Sequence, residues 1–147
     1  MRHRELDSDE IVARFIYSKN HFSRAGNRPK PGAFSPYPHS ELSVAHVTDL
    51  TDAEVWEISL KTVGSEPGRD KVHARADVRV RELIRNKLRA IRDDDPFERH
   101  TSVTGWPGPN DPNERKEQLK LICLELSQSP DVNLVVPAGP IARAFSS

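Results

Sequence analysis

Two periodicities account for most of the apolar positions in this chain: strict alternation, which marks strands, and three-and-four spacing, which marks helices. From Ile11 to Tyr17 the run Ile-Val-Ala-Arg-Phe-Ile-Tyr is rich in β-branched and aromatic residues. Alternation sets Ile11, Ala13, Phe15 and Tyr17 on one side and Val12, Arg14 and Ile16 on the other, which predicts a strand buried on both faces. Arg14 then sits among apolar neighbours and needs a salt bridge or a ligand, because an unpaired buried cation is costly. Leu42 to Val47 alternates as a second strand, with His46 on the side of Leu42 and Val44 and with Ser43 opposite. Lys71 to Asp77 sets Val72, Ala74 and Ala76 against His73, Arg75 and Asp77. Thr101, Val103 and Thr104 favour a strand after His100, and Val132 to Val136 reads as a final one.

Three helices fit between these strands. Thr51-Asp-Ala-Glu54 has the form of a capping box, with Leu50 and Val55 as its hydrophobic staple, and predicts a helix from Asp52. Its stripe is Val55, Ser59 and Val63 with Trp56 and Leu60, and Gly64 stands where a left-handed residue would end it. A second helix from Val78, capped by Asp77, would bury Val80, Leu83, Ile84, Leu88 and Ile91; Leu88 to Ile91 reads equally as a short strand after an earlier stop. The third has Asp111 as N-cap and Pro112 in its first position, and runs to about Ser127 over Leu119, Ile122, Cys123 and Leu126. Before it, Gly105, Pro107, Gly108 and Pro109 force a turn around Trp106, whose indole closes a core edge or offers a stacking face.

Residues 18–41 hold Gly26, Pro29, Pro31, Gly32, Pro36 and Pro38 and read as a loop, longer than the ~12–15 residues a passive connector uses. His21, Phe22, Phe34 and Tyr37 can pin it to the body as a lid; a mobile loop is the alternative. The pattern as a whole predicts an α+β fold. It has a frayed N-terminus over residues 1–10, one domain over 11–140 with about three helices on a mixed sheet of four to six strands, and a tail over 141–147.

Composition narrows the function classes. The 147 residues carry 22 Lys and Arg against 22 Asp and Glu, so no whole-molecule field steers the chain to nucleic acid or anionic membrane. One local patch, the arginine-rich stretch Arg79–Arg92, could bind nucleic acid, but a solvated helix face followed by Asp93, Asp94 and Asp95 is the favoured reading. A single cysteine, Cys123, on a helix stripe implies a buried thiol in a reducing compartment. There is no secretory-type leader and no run approaching the roughly 18 apolar residues of a membrane span, so the expected setting is cytoplasmic.

The sequence lacks phosphate-binding glycine loops, His-Glu-x-x-His and paired-cysteine motifs, so no cofactor and no metal is expected. Dispersed His39, His46, His73 and His100 are the residues from which a zinc site would have to be built. The constellation with chemical potential is Arg14, Ser43, His46, His73, Arg75 and His100, on or beside predicted strands, together with Trp106. Histidine is the natural acid or base near neutral pH, and arginine matches phosphate with a planar fork.

The segments Arg-Phe-Ile, Ala-Phe, Leu-Ser-Val, Arg-Ala-Asp and His100-x-x-Val-x-Gly-Trp-Pro resemble small uncharacterised bacterial domains with Leu-Ser-Val and His-x-x-[Ile/Val]-x-Gly-Trp-Pro segments. The resemblance covers most of the chain and implies one compact domain, with no activity attached. The opening strands also resemble those of ADP-ribosyltransferase-type folds, but the glutamate-bearing signature of those enzymes is absent. The expected function is a non-enzymatic binding module for a protein partner or a phosphate-bearing ligand. The alternatives are a small metal-independent hydrolase or nuclease using His46, His73 or His100, and a structural subunit of a larger bacterial assembly.

Overall fold

The computed structural model describes residues 3–36, 41–108 and 112–142. Among these residues lie nine strands, β1 (Arg4–Glu5), β2 (Ile11–Ile16), β3 (Phe22–Ser23), β4 (Arg28–Pro29), β5 (Leu42–His46), β6 (Ala74–Arg79), β7 (Arg89–Arg92), β8 (His100–Thr104) and β9 (Val132–Val135), and three α-helices, α1 (Asp52–Leu60), α2 (Val80–Arg85) and α3 (Pro112–Gln128). Seven strands form one sheet in the order β1-β7-β8-β5-β2-β6-β9, and β3 pairs with β4 separately. The architecture is α+β. The main sheet is larger than the expected four to six strands, and every pairing among the described strands is antiparallel rather than mixed.

The two-sided pattern of β2 places it at the centre. Val12 and Ile16 enter one apolar cluster with Phe34, Val44, Ala76, Val80, Leu119, Cys123 and Leu126. Ala13 and Phe15 enter a second with Ala45, Val47, Val55 and Ile58. The sheet is therefore covered on one face by α3, α2 and the 22–34 excursion, and on the other by α1. Burying both faces explains why its central strands read as near-continuous apolar runs.

Local signals set the helix starts. The Thr51 hydroxyl accepts from the Glu54 amide while the Glu54 carboxylate accepts from the Thr51 amide, completing the capping box. α1 stops at Leu60, and further turns lead to Gly64, whose φ of +81° is left-handed. Asp77 does not cap α2. The strand runs on to Arg79, and Val80 and Leu83 carry α2 into the core before it ends at Arg85. Lys87, at φ 63°, reverses the chain, and the Leu88–Ile91 segment supplies β7, the shorter-helix reading. α3 begins at Pro112 as expected; its expected cap Asp111 lies outside the described residues, as do Pro109, Tyr37 and His39.

Described residues near both ends join the fold. Arg4 and Glu5 pair with Arg92 and Ile91 as a short edge strand, and Leu6 is buried in the core, so this part of the segment expected to fray joins the fold. Ile141 bridges to Val72, which brings the start of the expected tail onto the sheet. Residues 18–36 are an ordered excursion. A 3₁₀ turn at Lys19–His21, the β3–β4 hairpin and a second 3₁₀ turn at Pro31–Phe34 pin it through buried Phe22, Ala33 and Phe34.

Candidate functional site

The candidate side chains divide between the two faces of the sheet. Ala45 stands opposite His100, and Ser43 opposite Ser102, on the α1 side; Arg75 stands opposite Phe15 on that same side. His46, opposite Val12, and Arg14, between Ala13 and Phe15, project to the α3 side, where Trp106 also packs. His73 lies just before β6, where alternation breaks: Val72 joins the α1-side cluster and Ala74 the α3-side cluster. Even on one face, β5 and β2 separate His100 on β8 from Arg75 on β6, and three strand spacings are about 14 Å. The three histidines do not share a site.

His46 is fully engaged. Arg92 Nη1 lies 3.0 Å from its Nδ1, and Glu10 Oε1 and Thr48 Oγ1 lie 3.1 and 3.0 Å from its Nε2. Because a guanidinium can only donate, Nδ1 must accept, which fixes a neutral ring whose Nε2–H faces Glu10 and Thr48. Burial, together with Arg92, Arg4 and Arg99, holds its pKa below the ordinary histidine value against the pull of Glu10. Both nitrogens are committed, and this imidazole has no free lone pair for catalysis or a metal. His73 is also held below the ordinary value, by partial burial and by Lys19 and Lys71.

His100 is buried and paired with a carboxylate. Its Nδ1 is 2.6 Å from Asp93 Oδ1, Ser102 Oγ donates to Asp93 Oδ2 at 2.9 Å, and Phe97 meets the ring edge-on at 5.3 Å. Burial raises the Asp93 pKa, but the hydrogen bonds from His100 and Ser102 outweigh it and leave the carboxyl below its usual range. The Ser102 hydroxyl points to the aspartate rather than to the imidazole, so the three do not form a nucleophile–base–orienter chain.

Arginines expected to meet phosphate are occupied within the fold. Arg14 has carbonyl partners rather than the expected carboxylate: it donates to Ala33 at 3.0 Å and Ser43 at 2.9 Å, tying the 31–34 turn to β5, and burial pushes its pKa down to about 10. Arg75 is buried between Asp77 at 3.0 Å and Asp52 at 2.5 Å and lies over the Trp56 ring at 4.6 Å. Its Nη1 is buried without a hydrogen-bond partner. In the basic stretch, Arg81 pairs with Asp131, Arg85 with Glu82, Arg89 with Glu5 and Arg92 with Asp94. Trp106 is buried and donates its indole N–H to the Val103 carbonyl at 2.9 Å, so its face is not open for stacking. Among the described residues no group of three or more His, Cys, Asp or Glu is placed to hold a metal ion, and no helix is long and apolar enough to cross a membrane.

Among the described residues, one feature open to a ligand is a groove the sequence pattern did not single out. Between the Pro31–Phe34 turn and α3 lies a groove of about 880 Å³, lined by Pro31, Gly32, Leu119, Cys123 and Leu124. Ser35, Pro112, Arg115, Lys116 and Lys120 complete its wall. Its volume falls in the range of small-molecule and peptide sites, ~300–1,000 Å³. Leu124 in its wall is 41% exposed, and Leu121, outside the lining, is 63% exposed; both are off the buried stripe of α3. The available signal was that leucines 121 and 124 do not share the stripe of Leu119, Cys123 and Leu126, a mismatch that marks a second apolar face. Burial raises the Cys123 thiol to about 11, which makes it a poor nucleophile and a packing residue of the groove floor.

No family model matches the chain. It is 31% identical over 112 residues to a peroxisomal copper-containing diamine oxidase and, to the same extent, to a peroxisomal N-methylputrescine oxidase, both of Nicotiana tabacum. The similarity covers 60% of this chain and spans 14% of the length of those two enzymes. No solved structure matches.

Proposed function

We propose that this domain is a non-enzymatic binding module whose recognition site is the groove between the Pro31–Phe34 turn and α3, working in a cytoplasmic, reducing setting that suits its lone thiol. The observation that carries this reading is the apolar lining of Leu119, Cys123 and Leu124, of which Leu124 is 41% exposed. Apolar surface left open next to a concave wall marks a site of interaction. The partner is a protein or an anionic ligand, since Arg115, Lys116 and Lys120 line the same wall.

Nile red, an uncharged dye that fluoresces in apolar surroundings, tests the groove independently of charge. The reading expects saturable one-to-one enhancement on the folded protein and loss of most of it in Leu124→Asp. An absent enhancement, or one unchanged in that variant, overturns it.

A second reading, a small hydrolase, is favoured by one observation, the Asp93–His100 pair at 2.6 Å. An imidazole whose Nδ1 is fixed by a carboxylate presents Nε2 as a base. It requires turnover of bis(p-nitrophenyl) phosphate that His100→Ala abolishes without unfolding; absence of turnover in the wild-type chain removes it.

A further inference from the structure

We infer that the α3 groove takes an acidic amphipathic helix of a partner protein, its apolar face on Leu119, Cys123 and Leu124 and its carboxylates against Lys116 and Lys120. This rests on the groove being the binding site. Three features argue for that occupant over others.

The first is length. The groove wall follows α3 from Pro112 to Leu124, which at 1.5 Å per residue is about 18 Å, or just over three helical turns. A partner helix of three to four turns, anchored at i, i+3, i+4 and i+7, spans that distance.

The second is the distribution of apolar surface. Leu121 precedes Leu124 by three positions, so the two are neighbours on the helix surface. Leu124, 41% exposed in the groove wall, is covered by a helix laid along α3, whereas Leu121, about 160° around α3 from Leu119 and Cys123, lies outside the groove.

The third is charge. Lys116 and Lys120 stand four apart on one flank of α3, with Arg115 beside them. Arg115 Nε is held by the Pro107 carbonyl at 3.1 Å, and Lys120 faces Glu117 at 3.7 Å in an exposed pair that holds neither group firmly. Glutamates at matching four-residue spacing on a partner helix would complement Lys116 and Lys120.

The test uses two designed 16-residue amphipathic helical peptides with the same leucine face and either glutamate or lysine on the polar positions, and dodecyl phosphate as the small anionic amphiphile. Binding is followed by fluorescence anisotropy and calorimetry on the whole chain. The expected result is that the Leu/Glu peptide binds the wild-type protein at least about tenfold more tightly than the Leu/Lys peptide in low salt, a difference of about 1.4 kcal/mol. Added salt should narrow it, and Lys116→Glu/Lys120→Glu should reverse it. Both lysines are on the solvent side, and circular dichroism checks that the variant is folded. Equal binding of the two peptides, or an unchanged preference in the folded charge-reversed protein, overturns the inference. Dodecyl phosphate binding without peptide binding makes the occupant a small amphiphile and also overturns it. If Nile red enters but the Leu/Glu peptide does not bind, the inference falls while the groove stands; if neither binds, the groove reading falls with it.

Discussion

Replacing Arg75 by alanine removes the polar clamp that fastens α1 to the sheet. The Arg75 side chain is 4% exposed and reaches Asp77 at 3.0 Å and Asp52 at 2.5 Å, while its guanidinium lies over Trp56. Burial already raises the Asp77 carboxyl despite the arginine, so losing Arg75 pushes it further in that direction. Breaking a buried ion pair by removing one partner costs ~3–5 kcal/mol. Asp77 retains some contact with solvent, and the unpartnered Nη1 that the substitution removes is itself unfavourable, so the expected cost is near the lower limit, ~3 kcal/mol. Asp52 is 76% exposed, so Asp52→Ala is expected to cost only ~0–1 kcal/mol. Urea unfolding followed by circular dichroism and by tryptophan fluorescence separates the two, and a thermal scan should place Arg75→Ala about 6–12 °C below wild type. A loss of less than ~1 kcal/mol for Arg75→Ala, or equal losses for the two variants, refutes the reasoning that burial makes this pair structural.

Other consequences are smaller but direct. A Cβ at Gly105, where φ is +96°, would lie 2.8 Å from the Lys87 carbonyl, so Gly105→Ala is expected to destabilise by ~2 kcal/mol or more in the same unfolding assay, and a neutral result contradicts the close approach. His46, depressed by burial, stays neutral in the fold while the unfolded chain protonates. Its contribution to stability is therefore complete above the ordinary histidine value and declines as pH falls below about 6.5, and an NMR titration placing it at or above that value is the contrary result. With its pKa raised from 9.0 to about 11, Cys123 should carry about a hundredfold less thiolate at pH 8 than an ordinary thiol and alkylate with iodoacetamide at least that much more slowly; alkylation at the ordinary rate would show the thiol to be open.

Much of the fold was legible in the sequence where local chemistry decides local structure. The two-sided run Ile11–Ile16, the Thr51–Glu54 box and Pro112 at the start of α3 each carry their own mechanism. What the residues do not carry is strand order. His46 and His100 lie on neighbouring strands yet on opposite faces, because Ala45, not His46, stands opposite His100. The early stop of α2 was one of two readings left open, since the reversal after it uses Lys87 at positive φ where a glycine or asparagine is the usual stop signal. Arg14 showed its need for partners, but not that backbone carbonyls of two distant segments would meet it. The groove was least visible. A surface formed between α3 and an excursion eighty residues earlier leaves no periodicity of its own, only leucines 121 and 124 displaced from the buried stripe.

The most direct measurement is an amide NMR map of the whole chain titrated with the Leu/Glu peptide. The account predicts that the largest shifts fall on residues 31–35 and 115–124, saturate together and disappear in Leu124→Asp. Shifts centred on residues 93–102, or none at saturating peptide, would contradict it.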